Sequence, residues 1–464
     1  YQYSYEKDYL SEFSDQGEAL DKLETGTDLA VLKTGDESVY RYDQMGTHSY
    51  ENSSMQTGTN STSYYFSVAS GDITNFFNEV DLNTPWDYHY ENLDSRTILD
   101  RLAAVKYFVV KAGEEEYLPY GYDTLAAEAE KKDRLYRAYE CKNALPIGYT
   151  YDSYIPEKKY AKMSTVEKQQ ALLQGVVLAD SAVPETTPEF NDREVSYKLV
   201  TGSGCKEKDG KLIITKENAQ AKLVFDGLDE CETYLITEGV DYEALSPREL
   251  ISDKKWNKMT LYEQKKVQYE NSKWRYWKES QKAYIDVTGQ FLDKTISIFT
   301  DKYNAYSGRS DFLCNTGYSE KGKKSITLTF ENTGVYSYKD MKVVCQPMKN
   351  IESQTSRLGT ESLKDVKIKN HELTGSISVS KDKVLVISLP YSKGFQAYVD
   401  GQKTELKQAN TMYMALELTK GDHEIRITYY TPYLKTGLVL TCVGILCYIC
   451  VVLVCKKRRG NKET

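Results

Sequence analysis

The sequence is poor in the residues that most enzymes use for acid–base and metal chemistry. Its 464 residues contain four histidines, and none stands in an HExxH pattern or beside a serine or cysteine nucleophile motif. The phosphate-binding glycine motifs GxxxxGK[ST] and GxGxxG are also missing. These absences argue against a zinc protease, a Ser/His/Asp hydrolase and a nucleotide-binding enzyme. Acidic residues are abundant, but their spacing singles out no pair for glycoside hydrolysis.

The cysteine pattern also indicates neither a metal site nor a protein framed by disulfides. Four of the nine cysteines lie in the apolar C-terminal stretch, and the other five are scattered: Cys141, Cys205, Cys231, Cys314 and Cys345. No CxxC motif or Cys/His cluster occurs among these five, which disfavours a structural zinc site. Their number and spacing allow one or two disulfides, with Cys205–Cys231 as the most local pair, but indicate no disulfide-framed scaffold.

Only one long hydrophobic run is present, from Leu434 to Cys455. The twenty residues after Lys435 are uncharged. A helix rises about 1.5 Å per residue, so this length matches a bilayer core of about 30 Å. The run predicts a transmembrane helix at 434–455. We expect its membrane interface and topology to be marked by the residues that flank it, namely Tyr429, Tyr430, Tyr433, Lys456, Lys457, Arg458 and Arg459.

The basic cluster after the helix predicts the orientation. Four consecutive Lys/Arg residues favour the cytoplasmic side, so we expect a short cytoplasmic tail at 456–464 and an extracytoplasmic location for the rest of the chain. The predicted location is therefore the cell membrane. The chain begins at Tyr1 without a charged-then-apolar leader, so we expect an upstream segment, either a cleaved signal peptide or further membrane spans.

Charge and aromatic content narrow the classes of partner. The net charge of −8 argues against nucleic acid as a partner. Tyrosine is unusually frequent, at 40 residues against 12 phenylalanines and 4 tryptophans. Tyrosine favours strands, and its flat face with a polar tip also suits stacking on sugars or a membrane rim. A strand-rich architecture is the simpler of these two interpretations.

The pattern along the chain predicts an α+β, β-rich fold in which antiparallel β-sandwich ectodomains precede one C-terminal transmembrane helix. Helical and strand patterns mix at 1–181, and Ser164 to Glu167 form a capping box. Alternating strands follow at 193–350 and predict a sandwich. The cleanest alternation lies in a membrane-proximal antiparallel β domain at 371–431, where Asp400-Gly401 and Lys420-Gly421 predict hairpin turns.

A helical insertion at 249–282 interrupts the predicted sandwich. It holds three of the four tryptophans, and nine Lys/Arg stand against four Asp/Glu from Leu250 to Lys282. Tyrosines recur every seven residues at 262, 269 and 276, with Val267 and Trp274 beside them. Such a stripe either packs on the adjacent sandwich, which is the favoured interpretation, or faces a polyanion or membrane surface. For the latter, the candidate residues are Trp256, Lys265, Lys266, Trp274, Arg275 and Trp277.

Several phrases in chain order resemble the bacterial YfhO-type membrane proteins. They are Tyr64-Tyr-Phe-Ser67, Asn92-Leu-Asp-Ser-Arg-Thr-Ile-Leu-Asp100 with Val105-Lys-Tyr-Phe-Val109, Asn143-Ala-Leu-Pro-Ile-Gly-Tyr149, and the closing Tyr391 to Phe395, Val399 to Gly401 and Lys420 to Ile425. The resemblance covers most of the chain, and the insertion at 249–282 is its least familiar part.

This resemblance implies a multi-spanning protein similar to the GT-C class of glycosyltransferases. Such a protein takes a sugar from a polyprenyl-phosphate carrier and adds it to a cell-envelope polymer. The acidic residue that serves as its catalytic base would lie in an early extracytoplasmic loop upstream of Tyr1, so no catalytic, cofactor or metal residue is assigned within this chain. The implied partners are the membrane, a cell-envelope glycopolymer or lipid-linked sugar, and an upstream transmembrane bundle of the same protein. This part would recognise the acceptor or shield the active site.

Two other classes stay open at the level of sequence. A single-pass, membrane-anchored protein that binds glycans or mediates adhesion without catalysis accounts equally well for the tyrosine-rich β regions and the basic tail. A membrane-anchored hydrolase is the third and least favoured class, since no acidic pair stands out. The sequence upstream of Tyr1 separates the first two classes most sharply.

Overall fold

The structure is a computed structural model that describes residues 34–44, 52, 54–55, 58–82, 89–90, 92–131, 134–289 and 292–460. Strands dominate these residues, and a single long apolar helix follows them. The predicted β-rich α+β fold with one C-terminal apolar helix is therefore confirmed.

The strands fall into three successive groups along the chain. The first group comprises Arg41–Gln44 (β1), Tyr64–Tyr65 (β2), His89–Tyr90 (β3), Val105–Lys111 (β4), Tyr122–Lys131 (β5), Arg134–Cys141 (β6), Gly148–Tyr151 (β7), Tyr154–Pro156 (β8) and Val176–Leu178 (β9). The second comprises Arg193–Val195 (β10), Tyr197–Thr201 (β11), Cys205–Lys208 (β12), Lys211–Ile214 (β13), Ala219–Phe225 (β14), Cys231–Glu238 (β15), Asp241–Ala244 (β16), Lys282–Thr288 (β17), Asp293–Phe299 (β18), Phe312–Ser319 (β19), Ser325–Phe330 (β20), Gly334–Ser337 (β21) and Asp340–Pro347 (β22). The third comprises Lys364–Lys369 (β23), Glu372–Val379 (β24), Lys383–Pro390 (β25), Phe395–Val399 (β26), Gln402–Thr404 (β27), Lys407–Ala409 (β28), Tyr413–Leu418 (β29) and Gly421–Tyr429 (β30).

The helices are short, apart from one in the insertion and one at the C-terminus. They are Gly71–Glu79 (α1), Thr97–Leu102 (α2), Glu157–Tyr160 (α3), Thr165–Ala171 (α4), Asp253–Trp256 (α5), Leu261–Trp277 (α6), Ile351–Gly359 (α7) and Leu434–Gly460 (α8), with a 3₁₀ turn at Glu115–Tyr117. The predicted capping box at the start of α4 is confirmed, because the Ser164 side chain accepts from the Glu167 amide while the Glu167 side chain accepts from the Ser164 amide.

The N-terminal part is an α+β unit. Its four-stranded sheet has the order β1-β4-β6-β5, and β1 pairs parallel with β4. Helix α2 leads almost directly into β4, and all six of its residues are buried. Apolar side chains of α1 and α2, including Phe76, Phe77 and Leu99, pack with Phe108 of β4 in the largest core. This arrangement places the segment before α2 deep inside the protein.

The middle part is built of three antiparallel sheets with the orders β10-β22-β15-β19, β11-β14-β20-β17-β18 and β12-β13-β21-β16. Strands β14, β17 and β20 alternate buried and exposed residues, which gives each a face for the core. Apolar residues of all three sheets share one core. Helices α5 and α6 lie between β16 and β17, within the region of the predicted insertion, whose bounds at 249–282 stay a prediction.

The C-terminal β region consists of two sheets, β23-β24-β30-β26-β27 and β28-β29-β25-β7, that share a core. Strand β7 comes from the N-terminal part and pairs with β25, so strand pairing crosses between the regions predicted at 1–181 and 371–431. Those boundaries stay a prediction. The Asp400-Gly401 hairpin is confirmed between β26 and β27. The Lys420-Gly421 hairpin is wrong, because β29 and β30 on either side of it belong to different sheets.

Within the described residues, the five cysteines outside the terminal helix are buried, and none of them forms a disulfide. Cys205 opens β12 and Cys231 opens β15, and these strands belong to different sheets. The suggested Cys205–Cys231 disulfide is therefore wrong. The two cysteines are close in sequence but lie in different layers, because the chain passes from one sheet to another through β13 and β14, which lie between the two cysteines along the chain.

Helix α8 is the apolar C-terminal element. Within it, residues Leu434–Lys456 form a candidate membrane span of 23 residues with a mean hydropathy of 2.9, and none of its most apolar window is buried against the protein. A fully exposed apolar surface of this length requires an apolar medium around it, which a bilayer provides. The helix continues through residue 460, so Lys456, Lys457, Arg458 and Arg459 extend it beyond the apolar stretch.

Candidate functional site

Arg41 occupies the point where the N-terminal sheet meets the C-terminal β region. Pairing of β1 with β4 sets Arg41 opposite Val105. Its guanidinium donates hydrogen bonds to the carbonyl oxygen of Ala103 at 2.5 Å, to that of Ser388 at 2.7 Å, and to the Ser388 hydroxyl at 3.3 Å. All of these acceptors are uncharged. Within the described part of the chain, no carboxylate forms an ion pair with Arg41.

A cavity of about 220 Å³ opens beside this guanidinium. Its lining combines aromatic rings, apolar side chains and hydroxyl groups: Arg41, Ser61, Thr62, Tyr64, Ile73, Phe77, Leu93, Ala103, Ser388, Pro390, Met412 and Tyr413. A cation, flat ring faces and hydroxyls around one small cavity are the features that bind a polar ring-shaped ligand with a negative substituent. We refer to these twelve residues as the Arg41 cavity.

The electrostatics of the Arg41 cavity follow from burial. Burial lowers the pKa of the Arg41 guanidinium, while the nearby Tyr413 and Tyr149 act in the opposite direction. An arginine stays charged in proteins even so. Burial also raises the pKa of Tyr64, so its phenol is neutral and available as a hydrogen-bond donor. Tyr64 stacks on Tyr90 with ring centroids 4.4 Å apart, which fixes its ring at the cavity wall. The cavity is therefore a preformed cationic site.

A buried polar junction, Asn92 to Arg101, lies behind the Arg41 cavity. Its first residues form a tight turn in which Asn92, Asp94 and Ser95 have φ values of 63°, 61° and 51°, a conformation that asparagine and aspartate tolerate better than most residues. The Asn92 side chain stabilises this turn by accepting from the Asp94 amide at 2.7 Å. At the level of sequence, this phrase contributes only to the resemblance to the YfhO-type proteins.

The buried polar junction joins the N-terminal part to the middle sheets. Lys294 on β18 forms an ion pair with the Asp94 carboxylate at 2.7 Å, and the backbone N–H of Asn315 on β19 donates to the same carboxylate at 3.2 Å. Glu232 on β15 accepts from the Thr97 amide at 3.0 Å. These contacts are long-range, and all of these residues are buried except Lys294, which is half-buried. The junction therefore holds the α+β unit in a fixed position against the sandwich.

Two carboxyl groups of this region are perturbed by burial. Burial raises the pKa of Asp43 to about 7, against the opposing hydrogen bond from Thr62. Burial also raises the pKa of Asp100 well above its ordinary value, and the charges of Asp43 and Glu232 add to the effect. Neither Asp100 oxygen has a hydrogen-bond partner among the residues that the structure describes. Among the described residues, no group of three or more His, Cys, Asp or Glu side chains is arranged to hold a metal ion.

The structure separates the six candidate surface residues of the insertion. Trp256 is half-buried, and the Arg248 guanidinium carbon lies 4.5 Å above the centre of the Trp256 ring. Trp274 is half-buried against the sandwich core. Lys265, Lys266, Arg275 and Trp277 are exposed on α6. The three tryptophans therefore do not form one surface.

The favoured packing of the tyrosine stripe on the sandwich is wrong. Tyr262, Tyr269 and Tyr276 are 79%, 59% and 86% exposed. Of the residues in the seven-residue repeat, only Val267 and Trp274, which follow the same spacing as the tyrosines, are half-buried. The seven-residue repeat thus contains two stripes on different sides of α6.

The residues predicted to mark the membrane interface differ in exposure. Tyr429 is partly buried and packs on Phe395, with ring centroids 4.9 Å apart, so it belongs to the β region. Tyr430 and Tyr433 are 51% and 81% exposed just before α8. Lys435 lies above the Tyr430 ring at 5.7 Å. The interface role of all seven flanking residues stays a prediction.

A strand-rich body followed by a fully exposed apolar helix defines a membrane protein. The family model for the bacterial membrane protein YfhO matches residues 1–441, so this chain belongs to the YfhO family. The family predicted from the sequence phrases is thus confirmed. The uncharacterized protein YfhO of Bacillus subtilis (strain 168) is 22% identical over 442 residues, covering 93% of this chain and 45% of that protein. The chain therefore spans less than half the length of this relative.

Solved structures give a weaker likeness. A mutant of the arabinofuranosyltransferase AftD from Mycobacteria matches with 12% identity and a TM-score of 0.14 over 33% of this chain and 13% of that one. The AftD structure without the mutation matches with 12% identity and the same TM-score, over 33% and 12% of the two chains. A TM-score this low carries no argument about fold or activity.

Proposed function

We propose that this chain is the extracytoplasmic part of a glycosyltransferase-like membrane protein of the YfhO family. The whole protein would transfer a sugar from a polyprenyl-phosphate carrier to a cell-envelope polymer. A transmembrane bundle upstream of Tyr1 would supply the catalytic residue, and this chain would recognise the acceptor or shield the active site. The basic residues 456–459 support a cytoplasmic C-terminus.

The observation that carries acceptor recognition is the Arg41 cavity. Among the residues that the structure describes, the hydrogen-bond acceptors of Arg41 are neutral, and its guanidinium lies beside the cavity. A half-buried cation gains from contact with an anionic group, because its surroundings screen the attraction less than water does. Tyr64 and Tyr413 are aromatic residues of the cavity lining, and aromatic rings are the groups on which sugars stack. At about 220 Å³ the cavity is smaller than the roughly 300–1,000 Å³ pockets of drug-sized ligands, so it suits one sugar unit.

Glycan binding by the intact chain tests this proposal. The chain 1–464, held in nanodiscs, is applied to an array of neutral glycans and of glycans that carry phosphate or carboxylate. We expect binding to the charged glycans, weakened at least about tenfold by Arg41→Gln, because charge-assisted hydrogen bonds contribute roughly 1.5–3 kcal/mol. Tyr64→Ala should weaken binding while leaving the Arg41 hydrogen bonds in place.

The matched control is Arg193→Gln, which removes an exposed arginine whose side chain donates to the carbonyl oxygen of Asp192. It should bind as the unaltered chain does. Equal binding by Arg41→Gln and Arg193→Gln, with unchanged melting temperatures, would remove the Arg41 cavity from the proposal.

The transferase activity needs a separate measurement on the full-length protein. Incubation with a polyprenyl-phosphate-linked sugar and envelope polymer should give transfer of the sugar. Glycan binding without transfer, together with an upstream segment that is only a cleaved signal peptide, would favour the single-pass adhesion protein instead. Release of free sugar from a glycan would favour the hydrolase.

A further inference from the structure

Helix α6 carries an aromatic and cationic face that no other described element covers. An α-helix turns about 100° per residue, so residues seven apart lie about 20° from each other around the axis. Tyr262, Tyr269 and Tyr276 therefore form one line along the helix, and all three are exposed. Trp277, 68% exposed, lies about 60° to one side of Tyr262 on the same projection. At about 1.5 Å per residue, the 17-residue helix extends this line over about 25 Å.

Lysines share this face with the tyrosines. Lys265, Lys266 and Lys273 project within about 60° of Tyr262, and all are exposed. The Lys273 ammonium lies 4.4 Å from the Tyr269 ring centre. We call Tyr262, Lys265, Lys266, Tyr269, Lys273, Tyr276 and Trp277 the outer face of α6.

The acidic residues of α6 lie at the border of the outer face. Glu263 and Glu270 project about 80–100° from Tyr262. The Glu263 carboxylate is engaged at the helix start, where it accepts from the Thr260 amide at 2.7 Å. Glu270 makes a long contact of 3.9 Å with Lys273. The outer face itself carries no acidic residue, although the whole chain has a net charge of −8.

The opposite side of α6 is bound to the protein, which fixes the direction of the outer face. Trp274 packs against the sandwich core, and Val267 is half-buried on the same side. The Asn271 side chain accepts from the Arg248 amide at 3.2 Å, and Gln264 donates to the carbonyl oxygen of Trp256 at 3.0 Å. These contacts hold the helix by one side and leave the lysines and tyrosines toward solvent.

We propose that the outer face of α6 docks on an anionic lipid surface. Three lysines, of which Lys273 makes one long contact with Glu270 at the border of the face, complement phospholipid phosphates. Tyrosine and tryptophan prefer the headgroup level of a bilayer. Helix α8 supplies the reason to choose a membrane, because its exposed apolar span keeps the chain beside a bilayer. The outer face has no leucine, isoleucine or valine, so the contact is a shallow adsorption at the headgroups and weakens with salt.

Fluorescence of Trp277 tests this contact in the whole chain. The chain is reconstituted in nanodiscs of phosphatidylglycerol or phosphatidylcholine whose acyl chains are brominated near the glycerol. The Trp277→Phe variant identifies the signal of Trp277 among the other tryptophans. We expect bromine to quench Trp277 in phosphatidylglycerol and not in phosphatidylcholine, with loss of quenching at high salt.

Charge reversal on the outer face supplies the decisive variant. Lys265→Glu/Lys266→Glu/Lys273→Glu should abolish the quenching, because each lysine near an anionic membrane contributes severalfold to binding and three contribute roughly 100-fold. The matched control, Lys206→Glu/Lys208→Glu/Lys211→Glu, makes the same charge change on the exposed β12–β13 hairpin and should quench as before.

Three results would overturn the proposal. They are equal quenching in the two lipids, quenching that survives in the α6 triple variant, and a Trp277 response to soluble polyphosphate with no quenching in phosphatidylglycerol. The last would assign the outer face to a soluble polyanion. Circular dichroism of each variant shows that the fold is retained.

Discussion

The hydroxyl of Thr62 donates a hydrogen bond to the carboxylate of Asp43 at 2.5 Å. Thr62 lines the Arg41 cavity, whereas Asp43 is fully buried behind it. A cavity-lining side chain is thereby held by an acid whose pKa is raised to about 7 by burial. Protonation of Asp43 near neutral pH therefore changes both the stability of this region and the hydrogen bonding at the cavity wall.

The raised pKa of Asp43 predicts a fall in stability as pH rises. An aspartate in the unfolded chain titrates near about 3.9, so between about pH 4 and pH 7 the folded state holds a proton that the unfolded state releases. The free energy of unfolding should decrease with pH through that range and reach its lower level above about pH 7. Asp43→Asn should remove this decrease and stabilise the protein at pH 8 by on the order of 2 kcal/mol.

Urea denaturation of the detergent-solubilised chain at a series of pH values measures this effect. Asp209→Asn, in the exposed turn between β12 and β13, is the control and should leave the pH profile of the unaltered chain intact. Identical profiles for Asp43→Asn and the unaltered chain would show that Asp43 is already ionised in the folded protein at low pH.

The ion pair between Asp94 and Lys294 should be important for the junction between the α+β unit and the sandwich. Removing the cation leaves a carboxylate that is only 2% exposed without its counter-charge. We expect Lys294→Met to lower the free energy of unfolding by roughly 3 kcal/mol, and Asp94→Asn in the same chain to recover part of that loss.

The surface pair of Lys302 and Glu279 provides the comparison for this junction. Both side chains are more than half exposed, so Lys302→Met should cost less than about 1 kcal/mol. Chemical denaturation of the two single variants and the double variant measures the difference. Similar costs for the two lysine variants would contradict a structural role for the buried pair.

The sequence predicted elements that depend on local pattern. The strands of the region 371–431, such as the alternating β24, and the capping box of α4 follow from hydrophobic pattern and from side-chain hydrogen bonds within a few residues, and both are found. The local pattern could not predict which strands pair with each other. For example, β7 pairs with β25, which lies more than 200 residues further along the chain. Lys420-Gly421 shows the same limit, because a turn motif does not reveal that the chain passes from one sheet to the other.

The Arg41 cavity could not be predicted from the sequence for a related reason. Arg41, Tyr64 and Tyr413 are brought together only by the meeting of the first and last parts of the chain. None of them belongs to a local motif of known chemistry. The phrase from Asn92 to Asp100 is unusual for a buried segment, because polar residues precede an apolar helix. Its partners Lys294 and Glu232 lie far along the chain, so the phrase alone does not identify them.

The thiols of Cys205 and Cys231 should be unpaired and slow to react. Burial raises the pKa of Cys205 to about 11 and that of Cys231 to about 12. At pH 8 about one thiol in a thousand or fewer is then a thiolate, which is the form that iodoacetamide attacks. Peptide mass spectrometry should find both cysteines protected in the folded chain and fully labelled in guanidinium chloride without reductant. A need for reductant before labelling would demonstrate the disulfide that the structure lacks.

The two stripes of α6 predict unequal effects of truncation on stability. Trp274→Ala removes a large ring that packs on the sandwich core and should lower the free energy of unfolding by about 2 kcal/mol. Tyr262→Ala removes a ring that is 79% exposed and should cost less than about 0.5 kcal/mol. Both lie in the same helix, so changes in helix propensity largely cancel in the comparison. Urea denaturation in detergent, without lipid, measures the two values. A greater cost for Tyr262→Ala would mean that the tyrosines face the sandwich in solution, and the outer face of α6 would then be closed to any lipid.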